Sequence, residues 1–177
     1  MKIIKYVIIT LATTAALVGL AYAVGMTLPR DHSATSRATL ATPRQDVWAA
    51  IVDVTAQPSW RTALESVTVE DATPQTMRWT EHGDYGDIPL RMVERVEPSR
   101  LVVVIDSADL AFGGRWIYQL DEVDAGTRIA ITEEGSVYNP VFRVMSSLFM
   151  SQHDTLDHFL TDLGSHFSQQ VTPEHQP

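Results

Sequence analysis

Three side chains in this 177-residue chain have the chemistry to move a proton within a pocket: Tyr118, Glu133 and His153. Held together away from water, they would supply a hydrogen-bond donor for a developing oxyanion, a base, and an acid active near neutral pH. Trp60, Trp79 and Trp116 could join them as ligand platforms. Each offers a broad apolar surface and one N–H that needs an acceptor when buried. No fixed catalytic motif accompanies these residues. The sequence has no Gly-x-Ser-x-Gly elbow, phosphate loop or dinucleotide fingerprint. Ser146 and Ser147 have no evident base. His82, Asp84 and Asp87 match no ligand spacing, and Gly83 and Gly86 make that stretch a turn, so no metal is expected there. No cofactor is expected either. The absence of cysteine excludes disulfides, thiolate metal sites and a Cys nucleophile.

Strand alternation decides which of these groups can share a pocket. Trp116, Tyr118 and Leu120 lie on one face of their strand, opposite Arg115, Ile117 and Gln119. Ile129, Ile131 and Glu133 share a second inward face, with Glu134 outward. Met77, Trp79 and Glu81 form a third, and Leu90 and Met92 a fourth, with Arg91 outward. An inward Glu133 has to be paired, protonated or wet, because an isolated buried carboxylate is costly. Each candidate also has a plain structural role. Tryptophans fill cores, Glu133 can reach water at a strand end, and His153 can be a satisfied core histidine. Arg143 is expected to pair with Glu133 or Glu134.

The strands carrying these residues follow one another closely. Ser33 to Leu40 reads as a first strand. Thr42-Pro43 then starts a helix, with Thr42 as N-cap and Val47, Trp48, Ile51 and Val52 as its buried stripe. Gln57-Pro58-Ser59 turns the chain into Trp60. Strands follow at Leu64 to Glu70, Gln75 to Glu81, Ile88 to Val96, Leu101 to Asp106, Arg115 to Glu122 and Thr127 to Val137. Their separators are turn-rich, including Asp71 to Pro74, Gly83 to Asp87 and Asp124-Ala-Gly126. Asn139-Pro140 starts a last helix expected to run to about Phe167. Its apolar stripe is Met145, Leu148, Phe149, Leu156, Phe159, Leu160 and Leu163, interrupted by Gln152. Short connections make the sheet antiparallel. The expected fold is α+β: a curved antiparallel sheet of six to seven strands around a long C-terminal helix, with a cavity between the layers.

Residues Tyr6 to Met26 carry no charge and follow Lys2 and Lys5. About 20 apolar residues cross a hydrocarbon layer of roughly 30 Å. Residues 1–28 therefore read as a single-pass anchor or as a signal peptide cut after Ala23, within Ala21-Tyr-Ala23. Either reading places the rest outside the cytoplasm, tethered or secreted, although Arg30, Arg37 and Arg44 weaken the charge bias. Residues 29–32 read as a linker, 33–169 as the domain and 170–177 as a disordered tail. The net charge is −9, which repels phosphate backbones and argues against nucleic-acid partners. Protein partners are not legible.

Several segments together resemble one family. They are Ala41 to Ile51 (Ala-Thr-Pro-Arg-Gln-Asp-Val-Trp-Ala-Ala-Ile), Gln57 to Trp60, Gly113 to Leu120, Gly126 to Gly135 and Asn139 to Arg143, with Asp154 to Leu163 as a closing helix. In this order the chain resembles the START-like, or SRPBCC, superfamily with its helix-grip fold. The nearest branch is the polyketide cyclase/dehydrase and lipid-transport group. The resemblance covers Ser33 to about Phe167. It implies binding of a hydrophobic or amphipathic small molecule, lipid-like, and it puts Trp60 at the cavity mouth. It fixes no reaction, since members include carriers and cyclases. Two main readings follow: a membrane-tethered binding module, or a cyclase/dehydratase-type enzyme acting on a polyketide-like substrate. A third is a protein-interaction domain whose groove is filled by its own side chains.

Overall fold

A computed structural model describes residues 2–73, 76–149 and 151–176, without the side chains of residues 2, 3 and 149. Pro74, Gln75 and the Phe149 side chain, assigned above to a turn, a strand start and an apolar stripe, lie outside that description. The chain opens with helix α1 (Lys2–Thr27). From Ile4 to Thr27 this helix is long and apolar enough to cross a membrane, a test that a signal sequence also passes. Three of its threonine hydroxyls bond back to the helix, Thr10 to the Tyr6 carbonyl, Thr13 to that of Ile9 and Thr27 to that of Val24.

Strand β1 (Asp31–Leu40), helix α2 (Arg44–Val52) and a short 3-10 turn (Gln57–Ser59) come next. Then β2 (Leu64–Ala72), β3 (Met77–Gly83), β4 (Gly86–Val96), β5 (Arg100–Ile105), β6 (Phe112–Val123) and β7 (Gly126–Val137) run as an antiparallel meander. Helices α3 (Pro140–Phe149) and α4 (Asp154–His166) and strand β8 (Glu174–Gln176) complete the chain. The sheet order is β2-β3-β4-β5-β6-β7-β1-β8. Register shifts interrupt β2 twice and β4 once. Each such irregularity bends its strand and adds twist, which curves the sheet. The fold is α+β, as the sequence predicts, with eight strands in place of six or seven.

One face of the sheet carries the core. Leu40, Leu120, Ile129 and Ile131 meet Val47, Trp48 and Ile51 of α2 and Leu156, Leu160 and Leu163 of α4. Each fully buried leucine contributes about 2 kcal/mol.

Four local expectations change. Helix α2 begins at Arg44, and Pro43 occupies the cap position without a side-chain bond. The Thr42 hydroxyl instead accepts from Gln169 Nε2 (2.8 Å), and its carbonyl accepts the buried Thr127 hydroxyl (2.7 Å). The C-terminal helix is two helices. Ser151 N–H donates to the Asp154 carboxylate (3.0 Å) in the turn between them, and α4 starts afresh at Asp154 with His153 at its cap position. Met145 and Leu148 are exposed, so the expected stripe is buried only along α4. Within the expected tail, Glu174–Gln176 form a strand against β1, pairing Thr35 with Gln176 and Arg37 with Glu174. Finally, the expected linker is structural, because β1 already starts at Asp31.

Candidate functional site

A cavity of about 680 Å³ lies between the curved sheet and the helices. Pockets for drug-sized molecules span roughly 300–1,000 Å³. Its walls include Trp79, Leu90 and Met92 from the β3–β4 hairpin, Leu101 and Val103 from β5, Trp116 and Tyr118 from β6, and Ile131 from β7. The side-chain period of two puts all of these on the concave face.

Polar groups enter this apolar space at a few fixed points. Glu133 is the most elaborately held. Its carboxylate accepts from Trp116 Nε1 (3.0 Å) and the Thr155 hydroxyl (3.0 Å), and it pairs with His32 Nε2 (3.3 Å). The tryptophan that needed an acceptor and the carboxylate that needed donors thus satisfy each other across the β6–β7 pair. The hydrogen bond to Glu133, helped by the charges of Glu133 and Asp31, raises the His32 pKa above the usual histidine value despite its burial. His32 faces Gly135 in register, and a Cβ on Gly135 would overlap the imidazole. Glycine at 135 therefore lets His32 lie across β7 toward the carboxylate.

Arg61 and Glu81 form the second point. The guanidinium donates to Glu81 Oε1 (2.7 Å) and to Gln57 Oε1 (2.7 Å), and it lies 5.3 Å from the Phe159 ring centroid. Gln57 is itself fixed, because its amide donates to the Ile51 carbonyl at the end of α2 (2.8 Å). Trp79 Nε1 also points at Glu81 (3.4 Å). Tyr118 is the third point. Burial pushes its phenol far above the usual tyrosine value, so it stays protonated. Its ring sits 5.5 Å from Phe159, and its hydroxyl has no hydrogen-bond partner among the described residues. A ligand oxygen could take that proton as a hydrogen bond.

Of the six candidates from the sequence, Trp79, Trp116, Tyr118 and Glu133 line the cavity. Trp60 and His153 are not in its wall. Trp60 packs edge-on against Phe159 (5.5 Å) and tilted against His166 (5.5 Å), as a packed turn residue. His153 turns to the β1 side of α4, where its Nδ1 lies 3.1 Å from the Ser36 hydroxyl. That hydroxyl, fully buried, donates to Asp157 (2.7 Å), and His175 of β8 donates to the same carboxylate (2.8 Å). The His153 and His175 rings stack at 3.9 Å. His153, Asp157 and His175 offer ligand atoms within 4.8 Å of one another, the donor types zinc accepts. The His175–Asp157 hydrogen bond, the Ser36 hydroxyl set between His153 and Asp157, and the stacked rings already account for this arrangement.

Arg143 pairs with neither glutamate. It donates to the carbonyls of Gly25, Leu28, Val137 and Tyr138, while Glu134 takes Arg115 (2.6 Å). Sequence reasoning missed His32, Arg61 and Thr155. An inward Glu81 close to Arg61 was a usable signal for that pair. Nothing local marks His32 or Thr155.

A family model described as polyketide cyclase / dehydrase and lipid transport matches residues 31–156. Among curated proteins, none matches the sequence. Solved structures match at the level of fold. A Mesorhizobium loti protein is 13% identical, with 77% of this chain and 97% of that chain covered and a TM-score of 0.58. The ZhuI aromatase/cyclase of a Streptomyces species is 12% identical, covering 78% and 92%, with a TM-score of 0.61. The di-domain aromatase/cyclase BexL is 12% identical, covering 96% of this chain and 60% of its own, with a TM-score of 0.65.

Proposed function

The chain belongs to the polyketide cyclase / dehydrase and lipid transport family, and from that premise we propose that it binds a hydrophobic or amphipathic, lipid-like molecule while α1 tethers it to a membrane. The carrying observation is the cavity: about 680 Å³, with a wall surface that is mostly apolar and polar groups set into it at Glu133, Arg61–Glu81 and Tyr118. The free Tyr118 hydroxyl and the held Glu133 carboxylate suit a ligand with one polar end. A tether keeps the pocket close to membrane-dissolved ligands and raises their effective concentration. Native mass spectrometry of the detergent-purified full chain, with a medium-chain fatty acid added, tests this. A one-to-one complex is expected. No complex with that acid, and no co-purified hydrophobic molecule, would count decisively against the reading.

A cyclase/dehydratase-type reaction is the second reading. His32 and Glu133 favour it, because they pair inside the cavity wall and could pass a proton to or from an enolisable ligand. His153, cast in that role from the sequence, has no place in it. Turnover of a polyketide-like 1,3-dicarbonyl probe that disappears in His32→Gln would support this reading over simple carriage.

A further inference from the structure

We propose that α3 lies on the bilayer surface, with Met145 and Leu148 in its outer layer, so that the membrane covers one end of the cavity and ligand enters from the leaflet. The proposal rests on the reading of α1 as a retained anchor.

Helix α3 does not lie against the sheet as the closing helix of a simple sheet-and-helix layer would. Its main partner is the end of α1. Two features fasten them. A Cβ on Gly25 would overlap the Pro140 carbonyl, so glycine there permits backbone contact between the end of α1 and the start of α3. The Arg143 guanidinium then satisfies the carbonyls of Gly25 (3.0 Å), in the last turn of α1, and of Leu28 (3.2 Å), just past its end. The end of the apolar helix is therefore bound directly to the first turn of α3. Whatever depth α1 takes in a membrane, α3 starts at its boundary.

The two faces of α3 then have different surroundings. Phe142 and Ser146 line the cavity. At helical spacing, Met145 and Leu148 point away from it, and they are 50% and 68% exposed. Large apolar side chains on the outer face of a strongly amphipathic helix suit the headgroup boundary. Nearby, Tyr138 is also exposed, and the Arg30 guanidinium lies 4.8 Å from its ring centroid. Tyrosine and arginine at the end of a span are typical interfacial anchors. Leu28 and Arg30 also line the cavity, so its wall at this end is built from the membrane-proximal chain itself.

Because the chain has no cysteine, single-site labelling of the full chain in phosphatidylcholine proteoliposomes is direct. An environment-sensitive fluorophore is placed on Met145→Cys, Leu148→Cys, Val18→Cys or Asp124→Cys, and a lipid carrying a nitroxide on its acyl chain is the quencher. Asp124 lies at the far end of the β6–β7 ribbon, about 35 Å along the strands. Positions 145, 148 and 18 should each lose at least about half their emission, and position 124 should keep it. Quenching at 18 but not at 145 and 148 overturns the seating of α3 and leaves the anchor standing. No quenching at 18 overturns both. Ligand transfer gives an independent arm. With Met145→Asp and Leu148→Asp combined, uptake of a fluorescent fatty acid from vesicles should slow about tenfold, with micellar equilibrium affinity unchanged. Unchanged uptake overturns the leaflet route. Failure of the wild-type chain to bind the fatty acid in micelles would refute the ligand reading, while the quenching result still decides where α3 sits.

Discussion

Glu133 accepts hydrogen bonds from more side chains than any other carboxylate described in the cavity wall: Trp116, Thr155 and His32. His32 is the member whose charge responds to ordinary changes of pH. Its pKa is raised in the folded state, chiefly by the hydrogen bond to Glu133. A raised pKa means that protonated His32 favours folding. That stabilisation is complete below the unfolded value of about 6.5 and is lost as pH rises through the higher folded value. His32→Gln should therefore lower the thermal midpoint most in mild acid, with the deficit shrinking toward alkaline pH. A deficit that does not vary with pH would show that the pair contributes packing without charge. Tyr118→Phe removes one hydroxyl from an otherwise apolar wall. A ligand with a polar end should bind roughly three- to tenfold more weakly to it, about one hydrogen bond's worth. A fully apolar ligand should bind unchanged, and calorimetry on the two ligand types separates the cases.

Among the elements, β8 and the break between α3 and α4 matter most. Strand β8 covers the middle of β1, which would otherwise be a sheet edge open to pairing with another chain. Its side-chain holds are His175, bonded to Asp157 and stacked on His153, and Glu174, which accepts from Arg37 Nε of β1 (3.0 Å). His175→Ala should lose about 1 kcal/mol. Amide exchange should quicken along β1 from Thr35 to Arg37, while β6 and β7 stay protected. Unaltered exchange along β1 would mean that backbone pairing and the Arg37–Glu174 pair hold the tail without His175. The break frees α3 from the axis of α4. Leu156, Leu160 and Leu163 can then stay buried on the sheet while α3 leans on α1.

At the scale of the molecule, the sheet and helices enclose a cavity of about 680 Å³. A ligand that fills that interior binds only the folded chain. At a hundredfold excess over its dissociation constant it should stabilise the fold by about 2.7 kcal/mol, visible as a higher thermal midpoint. A saturating fatty acid that leaves the midpoint unmoved would argue that the interior is not its site.

Local sequence determined much of this protein. Period-two alternation placed Trp79, Trp116, Tyr118 and Glu133 on inward faces, short turn-rich connections made the sheet antiparallel, and an uncharged run marked α1. These signals are read from neighbours a few residues apart, where backbone geometry fixes side-chain direction. The start of α4 was not legible, because the apolar stripe continues on either side of the break. The rest depended on pairing between distant segments. His32 meets Glu133 only because β1 lies beside β7 in one particular register, 101 residues away in the chain. His153 faces Ser36 instead of the cavity because of how α4 rotates on the sheet. The cavity itself is a difference between backbone curvature and side-chain volume. That difference exists only once all the layers are assembled, so the tertiary structure alone decided it.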